Sequence, residues 1–370
     1  MKPLADIFHS AEARAHSETD EYSRDEVRLA NRNSGALLET LGLDVTPTGT
    51  HYLLTHFDVP LLDAGAHELR FHGRFARPCT LTLDEIRAMP AETLPVTMEC
   101  AGNGRAGVAP RSRSQPWIYE AVGTSEWTGT PLAPLIETAG PLADTVEISF
   151  TGADRGFDAG HLHAFGRSLT LQQLADLDVL LVYAMNGQPL LPQHGAPLRI
   201  IVPGWYGMAS VKWLTDIEAL AAPYQGYQQV KTYQFRDTRE DVGRPITEIR
   251  VKSLMVPPGV PDWLTRARYV QAGRVDLVGR AWSGGGVPVA RVEVGVGDDW
   301  FDAELEPSPG RYAWAKWRFA WDAAPGEHRL RCRATDANGA VQPLDAPWDV
   351  SGFANNAAQV VDVLVVKPSG

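Results

Sequence analysis

The stretch LPVTMECAGNGRAGVAP, Leu94 to Pro110, begins as a strand and ends as a turn. Leu94, Val96, Met98 and Cys100 alternate with other side chains, the period of a half-buried strand. Ala101-Gly102-Asn103-Gly104 then breaks the pattern and leads to Arg105. Two readings of Cys100 stand side by side. A free cysteine is commonly a small buried hydrophobe. Equally, glycines let a backbone approach a bulky ligand or present amides to an anion, and a neighbouring guanidinium favours thiolate over thiol. A thiolate there suits nucleophilic catalysis or metal ligation. No histidine has a spacing that marks it as a catalytic base. The other cysteines read differently. Cys332 alternates with Leu330 and Ala334 and faces a core, while Arg329, Arg331 and Arg333 face away; Cys79, after Pro78, also reads as structural.

The totals set the frame. A chain of 370 residues accommodates about two domains. It is 44% hydrophobic and 21% charged, a globular mix. The formal net charge of −11 argues against nucleic acid or an anionic membrane as partner. An anionic substrate stays open, because positive clusters survive locally on acidic proteins. The three cysteines form no disulfide framework, and no zinc, iron–sulfur or covalent-haem spacing is present. No apolar run nears the ~18 residues of a membrane span. The N-terminus lacks a secretory or twin-arginine signal, so the expected location is cytoplasmic, or periplasmic if a leader has been removed.

Along the chain, residues 1–30 are polar and aperiodic and read as a flexible lead-in. Residues 31–235 mix strands and helices irregularly, which predicts an α+β domain. THYLLTHFDVP and HELRFHGRF alternate as strands do. Thr82 with Glu85, and Thr170 with Gln173, are capping boxes that open short helices. GTPLAPLIETAG fits a helix from about Pro131 to Gly140. From about Ile249 no helix is expected. RVDLVGRAWSGGG, VARVEVGVGDD, YAWAKWRFAWDA and EHRLRCRATDANG read as strands between turns. Val292, Val294 and Val296 share a face, as do Trp317, Phe319 and Trp321. Residues 245–370 are therefore expected to form a small antiparallel, immunoglobulin-like β-sandwich.

A second constellation lies in VYAMNGQPLLPQHGAPLRIIVPGWYGMASVKWL, Val182 to Leu214. Turns rich in Gly and Pro flank the buried strand LRIIVP and carry Tyr183, His194, Arg199 and Lys212. The stretch reads either as a site for a large polar ligand or as a strand between solvated loops. Gly187, Gly195, Gly204 and Gly207 do not have phosphate-loop spacing.

Together the two stretches closely resemble the sulfite oxidase family of molybdopterin-dependent oxidoreductases. CAGNGR is similar to that family's Cys-Ala-Gly-Asn-x-Arg motif, and AMNGQPLLPQHGAPLRIIVPGWYGMASVKWL to its second signature. GRAWSGGG, AWAKWRFAW and RCRATDANGAVQP resemble its C-terminal dimerisation domain. The resemblance runs from about residue 30 nearly to the end. It implies a molybdenum–molybdopterin cofactor with Cys100 as the protein's thiolate ligand to the metal. Soft sulfur suits this metal, and ligation deprotonates the thiol. Arg105 would match a family arginine of the anionic substrate pocket, Tyr183 the active-site tyrosine and Trp127 a pocket tryptophan. His56, His194, Arg199, Ser210 and Lys212 would hold the pyranopterin and its phosphate. The implied chemistry is oxygen-atom transfer on sulfite or a related sulfur oxyanion, or in reverse on nitrate or an S- or N-oxide. A homodimer is implied too.

The chain departs from the family pattern in places. Where relatives carry Arg-Asn-His before Val-Pro, it has Leu54, Thr55 and His56. Loss of one cation from such a pocket should weaken a small dianion by about 1.5–3 kcal/mol. Trp205 and Tyr206 either reshape the pocket or pack in the core. Arg311 and Arg318 are both candidates for a further family arginine. No cytochrome b5-type motif precedes the domain, so no built-in haem is expected. The reaction would need an external acceptor such as a c-type cytochrome, which a cytoplasmic chain would not meet in the periplasm.

Overall fold

The computed structural model describes residues 22–367. Helix α1, Arg24–Arg32, opens on a capping box in which Ser23 and Glu26 exchange hydrogen bonds. Glu26, only 2% exposed, also pairs with the guanidinium of Arg111. The expected lead-in over 1–30 thus gives way to a docked helix where Ser23 supplies the cap. Residues 1–21 of the expected lead-in lie outside the described residues.

Ten strands follow in the first part: β1 Glu68–Gly73, β2 Cys79–Thr82, β3 Glu92–Glu99, β4 Val122–Pro131, β5 Glu147–Asp158, β6 His161–Thr170, β7 Leu180–Met185, β8 Gln188–Pro189, β9 Arg199–Ile201 and β10 Leu214–Leu220. One sheet has the order β2-β1-β10-β5-β6, with β1 and β10 parallel. The other runs β3-β4-β7-β8, with β9 on β7. Three short helices close the connections: α2 Leu83–Arg87, α3 Leu132–Ala139 and α4 Leu171–Asp176. α2 and α4 start on the expected Thr82–Glu85 and Thr170–Gln173 boxes, and α3 ends on Gly140 at φ 69°. THYLLTHFDVP does not form a strand. Leu53 makes a single bridge to Ser34, because the segment turns its polar groups toward a cavity instead of a sheet partner.

A two-stranded hairpin, β11 Gln234–Phe235 with β12 Arg244–Pro245, leads to the second part. There β13 Lys252–Met255, β14 Val260–Pro261, β15 Arg268–Gln271, β16 Gly273–Trp282, β17 Val289–Val296, β18 Asp299–Asp302, β19 Glu304–Leu305, β20 Ala315–Ala323, β21 Gly326–Asp336 and β22 Gln359–Val366 build two sheets. Their orders are β13-β16-β20-β19 and β14-β15-β22-β21-β17-β18. The result is a sandwich, with no helix among the described residues after Ile249. One pairing departs from the antiparallel expectation: β15 lies parallel to β22. Val292, Val294, Trp317, Trp321, Leu330 and Cys332 meet in its core. Cys332 is fully buried, as alternation predicts, while Arg329 and Arg333 reach across the outer face to Asp362 and Glu293. Cys79 is exposed, against expectation, because β2 is an edge strand.

Candidate active site

β3 delivers Cys100 to the start of the turn. The Cys100 amide donates to Ala121 O at 2.9 Å, and Asn103 N returns to Cys100 O at 2.9 Å. Gly102 N donates to Cys100 Sγ at 3.4 Å. Glycine is required twice here. A Cβ at Gly102 would come within 2.7 Å of the Arg105 guanidinium, and Gly104 sits at φ 92° with Asn355 3.0 Å from where its Cβ would be. Cys100 is 6% exposed. Burial raises its thiol pKa, opposed by the Gly102 amide and by Arg105. The protein alone therefore leaves a thiol, and a cation or metal at the sulfur would be needed to hold the thiolate.

Cys100 lies in the wall between two cavities. The inner cleft runs past His51, His194, Arg199, Ser210, Lys212 and Asp154. Arg199 is held by the carbonyls of His194 (2.9 Å) and Ser210 (3.0 Å) and lies over the Trp127 ring at 4.9 Å. Desolvation lowers its pKa to about 10. Lys212 Nζ donates to Leu54 O and Gln193 O, both at 3.0 Å, and burial brings its pKa to about 7. Burial also depresses His51 to about 4 and His194 to about 3, so both imidazoles are neutral. Asp154, buried on β5, is pushed up to about 6 by desolvation despite the nearby Lys212. Its Oδ1 and the His51 Nε2 are buried without hydrogen-bond partners.

The outer cavity, about 500 Å³, opens from the other side of Cys100. Arg105, Arg113, Lys231, Arg236 and Arg239 line it against one carboxylate, Asp158. This is a local positive field on an acidic protein. Leu54, Trp117 and Phe353 give the cavity an apolar stretch of wall. Arg105 stacks on Phe353 at 4.8 Å and donates to Ser351 O at 2.7 Å and Gln115 O at 3.2 Å. Tyr233 borders both cavities, and its hydroxyl lies 2.6 Å from His56 Nε2.

Two family models match the chain: an oxidoreductase molybdopterin binding domain over residues 56–228 and a Mo-co oxidoreductase dimerisation domain over residues 243–365. Mouse mitochondrial sulfite oxidase is 32% identical over 348 residues, 87% of this chain and 62% of its own length. The chain belongs to the sulfite oxidase family of molybdopterin oxidoreductases. The NADH nitrate reductase of the alga Ulva prolifera is a further family relative, 30% identical over 85% of this chain and 39% of its own. The chain thus spans less than two thirds of either relative. The sulfane dehydrogenase SoxCD of Paracoccus pantotrophus shares the fold, with a TM-score of 0.75 over 94% of this chain and 87% of that one, at 24% identity.

The inner cleft fits the family's cofactor. A pterin offers ring N–H groups that need buried acceptors, and Asp154 Oδ1 and His51 Nε2 are such acceptors left unpaired. Arg199 and Lys212 would supply the charge for a phosphate. Cys100, in the wall of the cleft, would supply a soft ligand. Among the described residues no group of three His, Cys, Asp or Glu side chains converges as a metal site of its own.

Of the residues named from sequence, Cys100, His56, His194, Arg199, Ser210 and Lys212 line the inner cleft, and Arg105 the outer cavity. Ser210 Oγ accepts from Val202 N at 3.1 Å. Two are not brought there. Tyr183, on β7, packs partly buried against the core with Arg87 5.8 Å above its ring. Trp127, on β4, is fully buried behind Arg199 and borders neither cavity. Tyr233 and Trp117 instead border the outer cavity that Cys100 lines. The Trp117 indole N–H faces Cys100 without closing a hydrogen bond to a protein acceptor. Trp205 and Tyr206 are core residues. Arg311 and Arg318 pair with Asp178 and Glu306 on the surface, away from both cavities. Asp154 and His51 were missed: Asp154 sits where the β5 register shifts between Thr151 and Arg155, and His51 follows a turn with no strand partner, and no local pattern marks either.

Proposed function

We propose that the protein is a molybdopterin-dependent enzyme that oxidises sulfite or a related sulfur oxyanion and passes electrons to an external acceptor such as a c-type cytochrome. The observation that carries this is the position of Cys100. Its sulfur stands between a cleft suited to the pterin and a cationic cavity suited to an anion. When bound, the cofactor would supply two-electron redox chemistry coupled to oxygen-atom transfer. Within the chain, the buried Arg105 would hold the anion, and a fixed charge at a buried position is worth far more than at the surface. Tyr233 is kept a neutral phenol by burial, which raises its pKa. With His56 protonated at Nε2, the Tyr233 hydroxyl accepts from the imidazole and can donate to a substrate oxygen. The match to the dimerisation domain supports a homodimer.

A second reading, reduction of nitrate or of an S- or N-oxide, draws on Leu54. It puts an apolar side chain beside Cys100 where the family pattern has an arginine. Anaerobic sulfite titration of oxidised, molybdenum-loaded protein separates the two. Prompt loss of the thiolate-to-molybdenum absorption at sub-millimolar sulfite is the expected result. A metal reduced by dithionite but not by sulfite would favour the second reading.

A further inference from the structure

The residue before Cys100 is a buried carboxylate held from the far domain. Glu99 is 1% exposed. Its Oε1 receives Lys252 Nζ at 2.9 Å and Asn103 Nδ2 at 3.0 Å, and its Oε2 receives Trp282 Nε1 at 2.9 Å. Lys252 on β13 and Trp282 on β16 are paired neighbours in register, so one rung of the sandwich reaches Glu99. A bare buried carboxylate would be very costly, and these three donors offset that cost.

The same domain also holds the turn's backbone. Asn355 Nδ2 donates to Gly104 O at 2.7 Å, and Ala354 N donates to Ala101 O at 2.6 Å. Lys252 Nζ closes the ring by donating to Asn355 O at 3.0 Å. Two carbonyls of the Cys100 turn and the carboxylate beside it are thus fixed by residues some 150 to 250 positions away in sequence. A surface anchor would not need three buried side chains converging on one residue.

We propose that Lys252, Trp282 and Asn355 are positioning residues for the metal ligand. They set the backbone of the Cys100 turn, and through it the direction from which the sulfur meets the metal. The second domain then completes the catalytic site as well as carrying a subunit contact. This rests on Cys100 being the molybdenum ligand.

The test uses molybdenum-loaded enzyme carrying Asn355→Ala, or Glu99→Gln together with Lys252→Met, with Cys100→Ser as control. The double variant removes both charges and leaves no unpaired ion. In both clamp variants the thiolate-to-molybdenum absorption band should shift. Turnover should fall about tenfold while KM changes less than about twofold, as for a misplaced reacting group. A lower melting temperature with native band and native turnover would reduce the clamp to a stability element and overturn the proposal. A Cys100→Ser enzyme that keeps the native band would instead overturn the ligand assignment. If a variant takes up no metal, amide exchange of the cofactor-free chain decides. Faster exchange confined to Ala101–Gly104 supports the clamp, and exchange at the wild-type rate there refutes it.

Discussion

Acid should destabilise the cofactor-free protein through two histidines in the inner cleft. His51 and His194 have folded pKa values near 4 and 3, while an unfolded histidine titrates near 6.5. As pH falls from 7 to 5 the unfolded chain binds protons at both positions and the folded chain does not. Folding stability therefore drops as pH drops. Linkage puts the loss at roughly 1.9 kcal/mol for each histidine over that interval. Asp154 works in the opposite direction. Its folded pKa of about 6 lies above the unfolded 3.8, so the folded chain binds the extra proton and regains roughly 1.3 kcal/mol. The three groups together leave a net loss of about 2.5 kcal/mol. Urea midpoints of the cofactor-free protein at pH 7 and pH 5 measure it directly, and His51→Phe should remove nearly half of the gross histidine effect. Equal pH dependence in wild type and His51→Phe would mean that the buried His51 imidazole is not a source of the acid loss.

Tyr233→Phe removes the hydroxyl beside His56 and should lower turnover about 10- to 100-fold, as expected for a lost positioned donor, whereas Tyr183→Phe should leave steady-state kinetics unchanged. The reverse result would return the role to Tyr183. Arg105→Met should raise KM for sulfite more than it lowers turnover, by about tenfold or more for a lost charge-assisted contact; an unchanged KM would remove Arg105 from substrate binding.

Local rules wrote much of this structure visibly into the sequence. The boxes at Thr82 and Thr170 capped the helices expected of them, because capping depends on residues three apart. Strand period placed Cys332 in the sandwich core for the same reason. The Cys100 turn and the segment from His194 to Lys212 are contiguous, so motif reading found them and the fold brought them together. Tyr233 and Trp117 escaped because their roles are set by tertiary approach. Tyr233 follows a helical turn over Gln228–Thr232 that has no strong periodic signal, yet it is placed against His56, 177 positions earlier. Trp117 and Trp127 are ten residues apart, and the sequence does not say which of them lies on the cavity side of the Cys100 turn. The segment from His51 to Pro60 alternates like a strand, but it spends its polar groups on the cleft. The Glu99–Lys252 pair joins residues 153 apart, beyond any local pattern.

If Cys100 binds molybdenum at the junction of the two cavities, molybdenum X-ray absorption on loaded wild type and Cys100→Ser should show one sulfur neighbour fewer in the variant, with cofactor content retained. The same sulfur count in both proteins would remove Cys100 from the metal.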